Sequence, residues 1–114
     1  MLLAALASVV IASCYDGDTC TTTTGKRIRL ACIDAPELRR KRAKPVPAKA
    51  ARDHLRGLVV GKKVGIRRLT EDRYGRAVTE LFLGQTNVQE VMVASGHAEI
   101  YGRYADQCPW TERQ

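Results

Sequence analysis

The stretch Ile28 to Glu37, IRLACIDAPE, carries a cation, Arg29, near its start and two carboxylates, Asp34 and Glu37, at its end, separated only by Ala35 and Pro36. A third acid, Asp18, lies upstream in DGDT, Asp16 to Thr19, and a second arginine, Arg76, closes DRYGR, Asp72 to Arg76. Carboxylates without imidazole or thiolate companions suit a hard cation, Ca²⁺ or Mg²⁺. Such an ion neutralises phosphate and orients water. Guanidinium groups grip phosphate oxygens in pairs and stabilise charge that grows in a transition state. Together these are the parts of a metal-dependent phosphodiesterase: acids for the metal, a spare carboxylate to accept a proton from water, and arginines for the phosphate. Singly they are weaker. An Asp-x-x-Glu pair is ordinarily a surface acid pair or a helix-start signal, and Arg76 after Gly75 is ordinarily a turn residue.

Holding these groups in one place requires elements that end near one another. Ser8 to Tyr15, SVVIASCY, reads as a first strand and DGDT as the hairpin turn after it. The β-branched CTTTT leads to a second turn at Gly25-Lys26, and Arg27 to Ile33 reads as a third strand. Along it Ile28, Leu30 and Cys32 share one face, and Arg29, Ala31 and Ile33 the other. Continued alternation would put Arg29 and Asp34 on opposite faces, so the strand must twist or break near Ile33 if both serve one site. Pro36 removes a donor and holds Ala35 extended, which ends the pairing.

Arg39 to Pro47, RRKRAKPVP, reads as a proline-punctuated loop whose five cations suit a nucleic-acid arm or a solvated surface equally well. Helical spacing begins at Ala48, with Ala51, Leu55, Leu58 and Val59 in one stripe and Gly61 at the C-terminal cap. His54, beside that stripe, reads as a half-buried packing residue. Val64 to Leu69 and Arg76 to Leu83 read as strands around a turn at Thr70 to Tyr74. Thr86 or Asn87 offers an N-cap to a short helix, with Gln89 or Glu90 completing a capping box, Val88, Val91 and Met92 buried, and Gly96 at its end. Three strands, a helix, two strands and a helix describe a small α+β domain: a five-stranded OB-type Greek-key barrel with two or three helices packed on it. That fold is a common platform for single-stranded nucleic acid.

The chain of 114 residues is long enough for one domain with a modest core. Nineteen Lys and Arg against twelve Asp and Glu give a net charge of +7, which favours a polyanionic partner such as nucleic acid, DNA or RNA, or an anionic membrane surface. Met1 to Ala12 is almost wholly apolar but has no cation before Lys26 and is too short to span a bilayer, so no stable membrane insertion is expected. IASC at Ile11 to Cys14 has the form of a lipoprotein processing site; the first strand is the preferred reading, with residues 1–7 a leader remnant or edge and 8–114 the domain. Cysteines 14, 20, 32 and 108 contain no C-x-x-C pair and have only two histidines for company, which disfavours zinc. Three full pairings are open. Cys14 and Cys20 would face each other if they flank a tight turn. Disulfides would imply an oxidising compartment, secreted or in the periplasm and cell envelope, against the alternative of small buried hydrophobes.

DGDT, the arginine-bearing strand ending in IDAPE, DRYGR, and SGHA at Ser95 to Ala98, in this order and spacing, resemble the staphylococcal nuclease (thermonuclease) family from about Val9 to Tyr104. The resemblance implies a Ca²⁺-dependent nuclease, here expected as a monomer. By position, it implies that Asp18 and Asp34 bind Ca²⁺ directly, and that Ala35, where the family commonly has threonine, adds its backbone carbonyl. Glu37 matches the general base, and Arg29 and Arg76 match the arginines on the scissile phosphate. Tyr74, with Tyr101 or Tyr104, matches the lining of the nucleotide pocket. The family usually continues into a third helix under the barrel, where this chain stops at Trp110 to Gln114; a barrel lacking it would leave apolar side chains of the Val88 to Val93 helix bare. A catalytically inactive nucleic-acid- or protein-binding module of the same fold is the competing reading. Such a module has no physical need for all of Asp18, Arg29, Asp34, Glu37 and Arg76.

Overall fold

The computed structural model of the chain describes residues 6–39, 41 and 43–113. Most of the expected leader, and two cations of the basic loop, Arg40 and Arg42, lie outside the described residues. Strands β1 (Ala7–Asp16), β2 (Thr19–Thr22), β3 (Arg27–Leu30) and β4 (Ile33–Asp34) come first, followed by helix α1 (Pro45–Val59). Then come β5 (Lys63–Glu71), β6 (Ala77–Leu83), β7 (Thr86–Asn87), helix α2 (Val88–Ala94) and β8 (Glu99–Ile100). Two 3-10 helices, Gly102–Gln107 and Pro109–Arg113, finish the described chain.

Strand β1 pairs antiparallel with both β2 and β5, β2 pairs with β3, and β5 pairs with β6. A parallel pairing of β3 with β6, Ile28 beside Ala77 and Leu30 beside Thr79, closes the ring. The result is a five-stranded barrel of the OB type with helices packed on it, the α+β architecture expected from the order of elements. Alternation works as strand geometry requires: Ile28 and Leu30 point into the barrel, while Arg27 and Arg29 point out. Ile11, Leu30, Ile33, Leu55, Leu81 and Met92 are fully enclosed in one core.

Three boundaries, and the burial of one helix face, differ from expectation. The third strand does not run to Ile33; it breaks after Leu30 and resumes as β4, with Cys32 at φ 67° between the two pieces. Helix α1 begins at Pro45 inside the expected loop, because proline's fixed φ suits a first helical turn whose N–H groups have no intrahelical acceptor. Strand β5 extends through Glu71, so the turn to β6 starts at Asp72, not Thr70. Asn87 is the N-cap of α2 and its side chain accepts from the Glu90 N–H, but only Val88 and Met92 of the expected apolar stripe are fully buried.

The underside of the barrel is not bare. Cys108 and Trp110 are buried in the same core as Val88 and Met92, so the last 3-10 turns cover what a longer helix was expected to cover. Two contacts hold them there. Glu80, itself buried, accepts from Trp110 Nε1 at 2.8 Å, Asn87 Nδ2 at 3.1 Å and Arg67 Nε at 2.6 Å, which satisfies both carboxylate oxygens. The disulfide Cys32–Cys108 ties the terminal segment to the break between β3 and β4. The other disulfide, Cys14–Cys20, joins directly paired residues of β1 and β2.

Chain-entropy reasoning ranks the two bridges. Cys32–Cys108 closes a loop of sequence separation 76 and Cys14–Cys20 one of 6, worth roughly 4 and roughly 2 kcal/mol respectively. Urea denaturation of the Cys32→Ala/Cys108→Ala and Cys14→Ala/Cys20→Ala double variants should show the larger loss for the first. A larger loss for the second would mean that the terminal segment does not depend on its bridge.

Candidate active site

The first acid-bearing element is the two-residue turn between β1 and β2, where Asp16 pairs with Thr19. Gly17 must be glycine here: a Cβ would lie 2.7 Å from the Cβ atoms of both Ala35 and Ala51. This close approach presses the turn onto α1 and onto the segment after β4. It brings Asp18 Oδ2 within 2.8 Å of the Ala35 N–H, a contact that buries the Asp18 carboxylate and fixes its direction. Asp18 N–H donates to Asp16 Oδ1 and Thr19 Oγ1 donates to Asp18 Oδ1, so the two aspartates are wired together.

The break in the third strand supplies the second acid. Leu30 N–H donates to the Asp18 carbonyl, Ala31 N–H to the Thr79 carbonyl, and Tyr101 N–H to the Cys32 carbonyl. Between these bonds Cys32 takes a left-handed backbone conformation that non-glycine residues rarely adopt. The face of the chain is thereby reset, and Arg29 and Asp34 come to the same side, as one site requires. Arg29 stands between the acids, Nη1 3.5 Å from Asp18 Oδ2 and Nη2 3.6 Å from Asp34 Oδ1. Its guanidinium also donates to the Leu30 carbonyl and lies 5.9 Å from the Tyr101 ring.

The third element is the β5–β6 turn. Asp72 Oδ1 accepts from the N–H groups of Tyr74 and Arg76, and Oδ2 accepts from Arg76 Nε at 2.7 Å. Gly75 at φ 77° lets the chain double back so that both bonds form. Desolvation works against ionisation of Asp72, but the Arg76 and Tyr74 hydrogen bonds and the Arg76 charge win and hold its carboxyl below the usual range. The Tyr74 ring lies 5.3 Å from the Arg76 guanidinium, and Arg27, reaching over from β3, donates to the Tyr74 carbonyl.

All the expected site residues border two clefts on the same end of the barrel. One, of about 560 Å³, is walled by the β1–β2 turn, Ala35 and Arg27; the other, of about 520 Å³, is walled by Asp72, Tyr101 and Tyr104. Arg29, Asp34, Glu37, Tyr74 and Arg76 border both. Tyr101 and Tyr104 meet edge to face at 6.5 Å, and both line the second cleft. Asp16 and Asp72 were not among the expected site residues; their signal was the opening acid of DGDT and of DRYGR. His54 is half-buried, its ring 4.6 Å from that of His97 and away from both clefts, in keeping with a packing role.

Burial and then the neighbouring Asp18 carboxylate push Asp16 up to about 7. Partial burial, then Asp18, also raise Asp34, against the opposing pull of Arg29. Among the described residues no three histidine, cysteine or carboxylate groups converge closely enough to hold an ion by themselves. Asp16, Asp18, Asp34 and Ala35 line the first cleft together.

Residues 27–113 match the model of the family described as staphylococcal nuclease homologue. Asp18 and DGDT lie ahead of the matched residues. Over 87 residues the chain is 39% identical to staphylococcal-like nuclease CAN1 of Arabidopsis thaliana, covering 74% of this chain and 25% of that protein. Over 93 residues it is 36% identical to an uncharacterized endonuclease of Escherichia coli, covering 78% of this chain and 58% of the relative. A probable staphylococcal-like nuclease CAN1 of Oryza sativa subsp. japonica is 42% identical over 83 residues, 73% of this chain and 23% of that protein. The chain thus spans from about a quarter to under three fifths of the length of these relatives.

The Asp16 shift has a consequence for stability. Without metal, the folded chain keeps the Asp16 proton up to about pH 7, whereas the unfolded chain releases it near 3.8. The unfolded state therefore binds fewer protons over that window, and this residue's contribution to stability falls as pH rises through it. Asp16→Asn keeps the oxygen that accepts from Asp18 and has no proton to lose. In chelator at pH 8 the variant should unfold at higher urea than the parent, and near pH 4 the two should lie close together. A parent more stable than the variant at pH 8 would show that Asp16 is not held among like charges.

Proposed function

This chain belongs to the staphylococcal nuclease family, and from that membership we propose that it is a Ca²⁺-dependent nuclease that hydrolyses phosphodiester bonds of DNA, RNA or both. One observation carries the reading: Asp18, Arg29, Asp34, Glu37 and Arg76, from four separate segments, line one pair of joined clefts. The donor set fits a hard cation. Its oxygens come from carboxylates and backbone, and Asp16 and Asp34 are both shifted towards the protonated form, by burial first and then by the neighbouring Asp18 carboxylate. Asp18 and Asp34, with the carbonyl of Ala35, would hold the ion. An oxygen-only site with flexible geometry favours Ca²⁺ over the smaller Mg²⁺. When bound, the ion supplies positive charge beside the phosphate oxygens.

The chain's own residues would do the rest. Glu37, exposed at the mouth of both clefts, takes a proton from the water whose oxygen attacks phosphorus. As that bond forms, one phosphorus–oxygen ester bond breaks and the leaving oxygen is protonated from solvent. Arg29 and Arg76 hold the phosphate oxygens while charge accumulates on them. Asp72 keeps the Arg76 fork aimed by occupying Nε, which leaves the terminal nitrogens for phosphate. Tyr74, Tyr101 and Tyr104 line the nucleoside side. Two disulfides support a working place in an oxidising compartment, outside the cell or in its envelope. No helix among the described residues is long and apolar enough to cross a membrane.

Digestion of single-stranded DNA, duplex DNA and RNA in Ca²⁺, in Mg²⁺ and in chelator tests the proposal. Cleavage should require Ca²⁺, and equal activity in chelator would remove the metal from the mechanism. Binding of nucleic acid with no cleavage in any condition would point instead to an inactive binding module. Glu37→Gln preserves size but cannot accept a proton, so kcat should fall by roughly 10²- to 10⁴-fold with little change in substrate affinity. Near-normal turnover would refute its role as base.

A further inference from the structure

The cleft bordered by the β1–β2 turn has features that water attack at phosphorus does not use. Tyr15, the last residue of β1 before Asp16, is 57% exposed and lines this cleft. Tyr15 falls at the register shift between Cys14 and Asp16, next to the buried Cys14, and faces outward. On the neighbouring strands Thr19 pairs with Arg29 and Thr21 with Arg27, and all four line the same cleft as Tyr15. An aromatic ring, two threonines and two arginines therefore form one strip on the outer face of β1, β2 and β3. Arg27 spends one donor on the Tyr74 carbonyl, and a guanidinium has five N–H groups. Arg27 pairs with Thr21 and Thr21 with Ser13, so Tyr15 lies two strands across from Arg27 and two residues further along β1, roughly 11 to 12 Å at sheet spacing, and both side chains border the same cleft.

The strip leads straight to the reacting groups. The two clefts share Arg29, Asp34, Glu37, Tyr74 and Arg76 and extend from them in different directions, one towards Tyr15 and the other towards Tyr101 and Tyr104. A phosphate held at the shared wall would have room for a nucleotide on each side. Each side also offers an aromatic surface on which a base can stack without regard to its identity.

We propose that the Tyr15–Arg27 cleft is a second nucleotide subsite, in which a base stacks on Tyr15 and the adjoining phosphate is held by Arg27. The strand then runs through both clefts, with the phosphate to be cut at the wall they share. The proposal rests on the nuclease reading for its reaction but not for its binding site.

The test compares two substrates: a single-stranded oligonucleotide long enough to fill both clefts, and a nitrophenyl ester of a single nucleotide, which fills only one. Tyr15→Ala should lower the ratio of kcat/KM on the long substrate to that on the short one by about tenfold, the effect of losing one base–aromatic stack, mostly through KM. Tyr15→Phe should restore the ratio. Equal losses on both substrates, or no loss on the long one, would each overturn the subsite. If the wild-type chain cleaves neither substrate, the nuclease reading fails by itself. Fluorescence anisotropy with the same oligonucleotide then decides the subsite: Kd should rise about tenfold in Tyr15→Ala and recover in Tyr15→Phe, and an unchanged Kd would overturn it.

Discussion

Arg29 can stand between Asp18 and Asp34 only because the backbone changes facing at Cys32. A strand continued in regular alternation from Arg27 would send Asp34 to the side opposite Arg29. A non-glycine residue in the left-handed region costs on the order of 1–3 kcal/mol, so the bend persists because its surroundings over-determine it. Ala31 is held by Thr79 on β6, the Cys32 carbonyl by Tyr101, and the Cys32 sulfur by Cys108. The same three anchors link the barrel, the C-terminal tyrosines and the terminal 3-10 turns. The site, the second cleft and the cover of the core therefore share one point of support.

The electrostatics follow from that geometry. A chain of net charge +7 gathers Asp16, Asp18, Asp34 and Glu37 along one cleft, where burial first, and then the Asp18 carboxylate, raise Asp16 and Asp34. Arg29 opposes this only in part, because one guanidinium at 3.5–3.6 Å faces two carboxylates at once. At the other wall the balance is reversed. Asp72 is committed to backbone and guanidinium donors, and Arg76 gains direction from it, so the arginine does not collapse onto the acid cluster.

The barrel's other end is held by a different kind of contact. Glu80 sits on a strand whose first five residues are all buried, and it collects Trp110, Asn87 and Arg67 around one carboxylate. A buried acid with both oxygens satisfied is tolerated, whereas an unpaired one would be costly. Arg67 also donates to the Gln107 carbonyl, which fastens the segment between Tyr104 and Cys108 at a second place. The tyrosines that line the second cleft are thus carried on a segment tied to the barrel at both of its ends.

Much of this was legible in the chain itself. DGDT and DRYGR carry their turn chemistry locally, in Asp side chains that bond the backbone two to four residues on and in glycines that accept a close approach or a positive φ. The apolar spacing of α1 and α2 and the alternation that turns Arg29 outward are likewise properties of short segments, as was the need for a break before Asp34. What no segment contained was which groups would meet. The parallel closure of β3 on β6, the choice among three cysteine pairings, the burial of Glu80 by Trp110, and the approach of Asp18 to Arg29 and Ala35 are long-range outcomes. So is the placement of Tyr15 and Tyr101 on opposite sides of the same arginines. These depend on how the strands register once the barrel closes, a property of the whole chain's packing. Sequence determined the chemical groups and the direction in which each element presents them; only the tertiary structure decided their distances, because those are set by contacts between residues far apart in the chain.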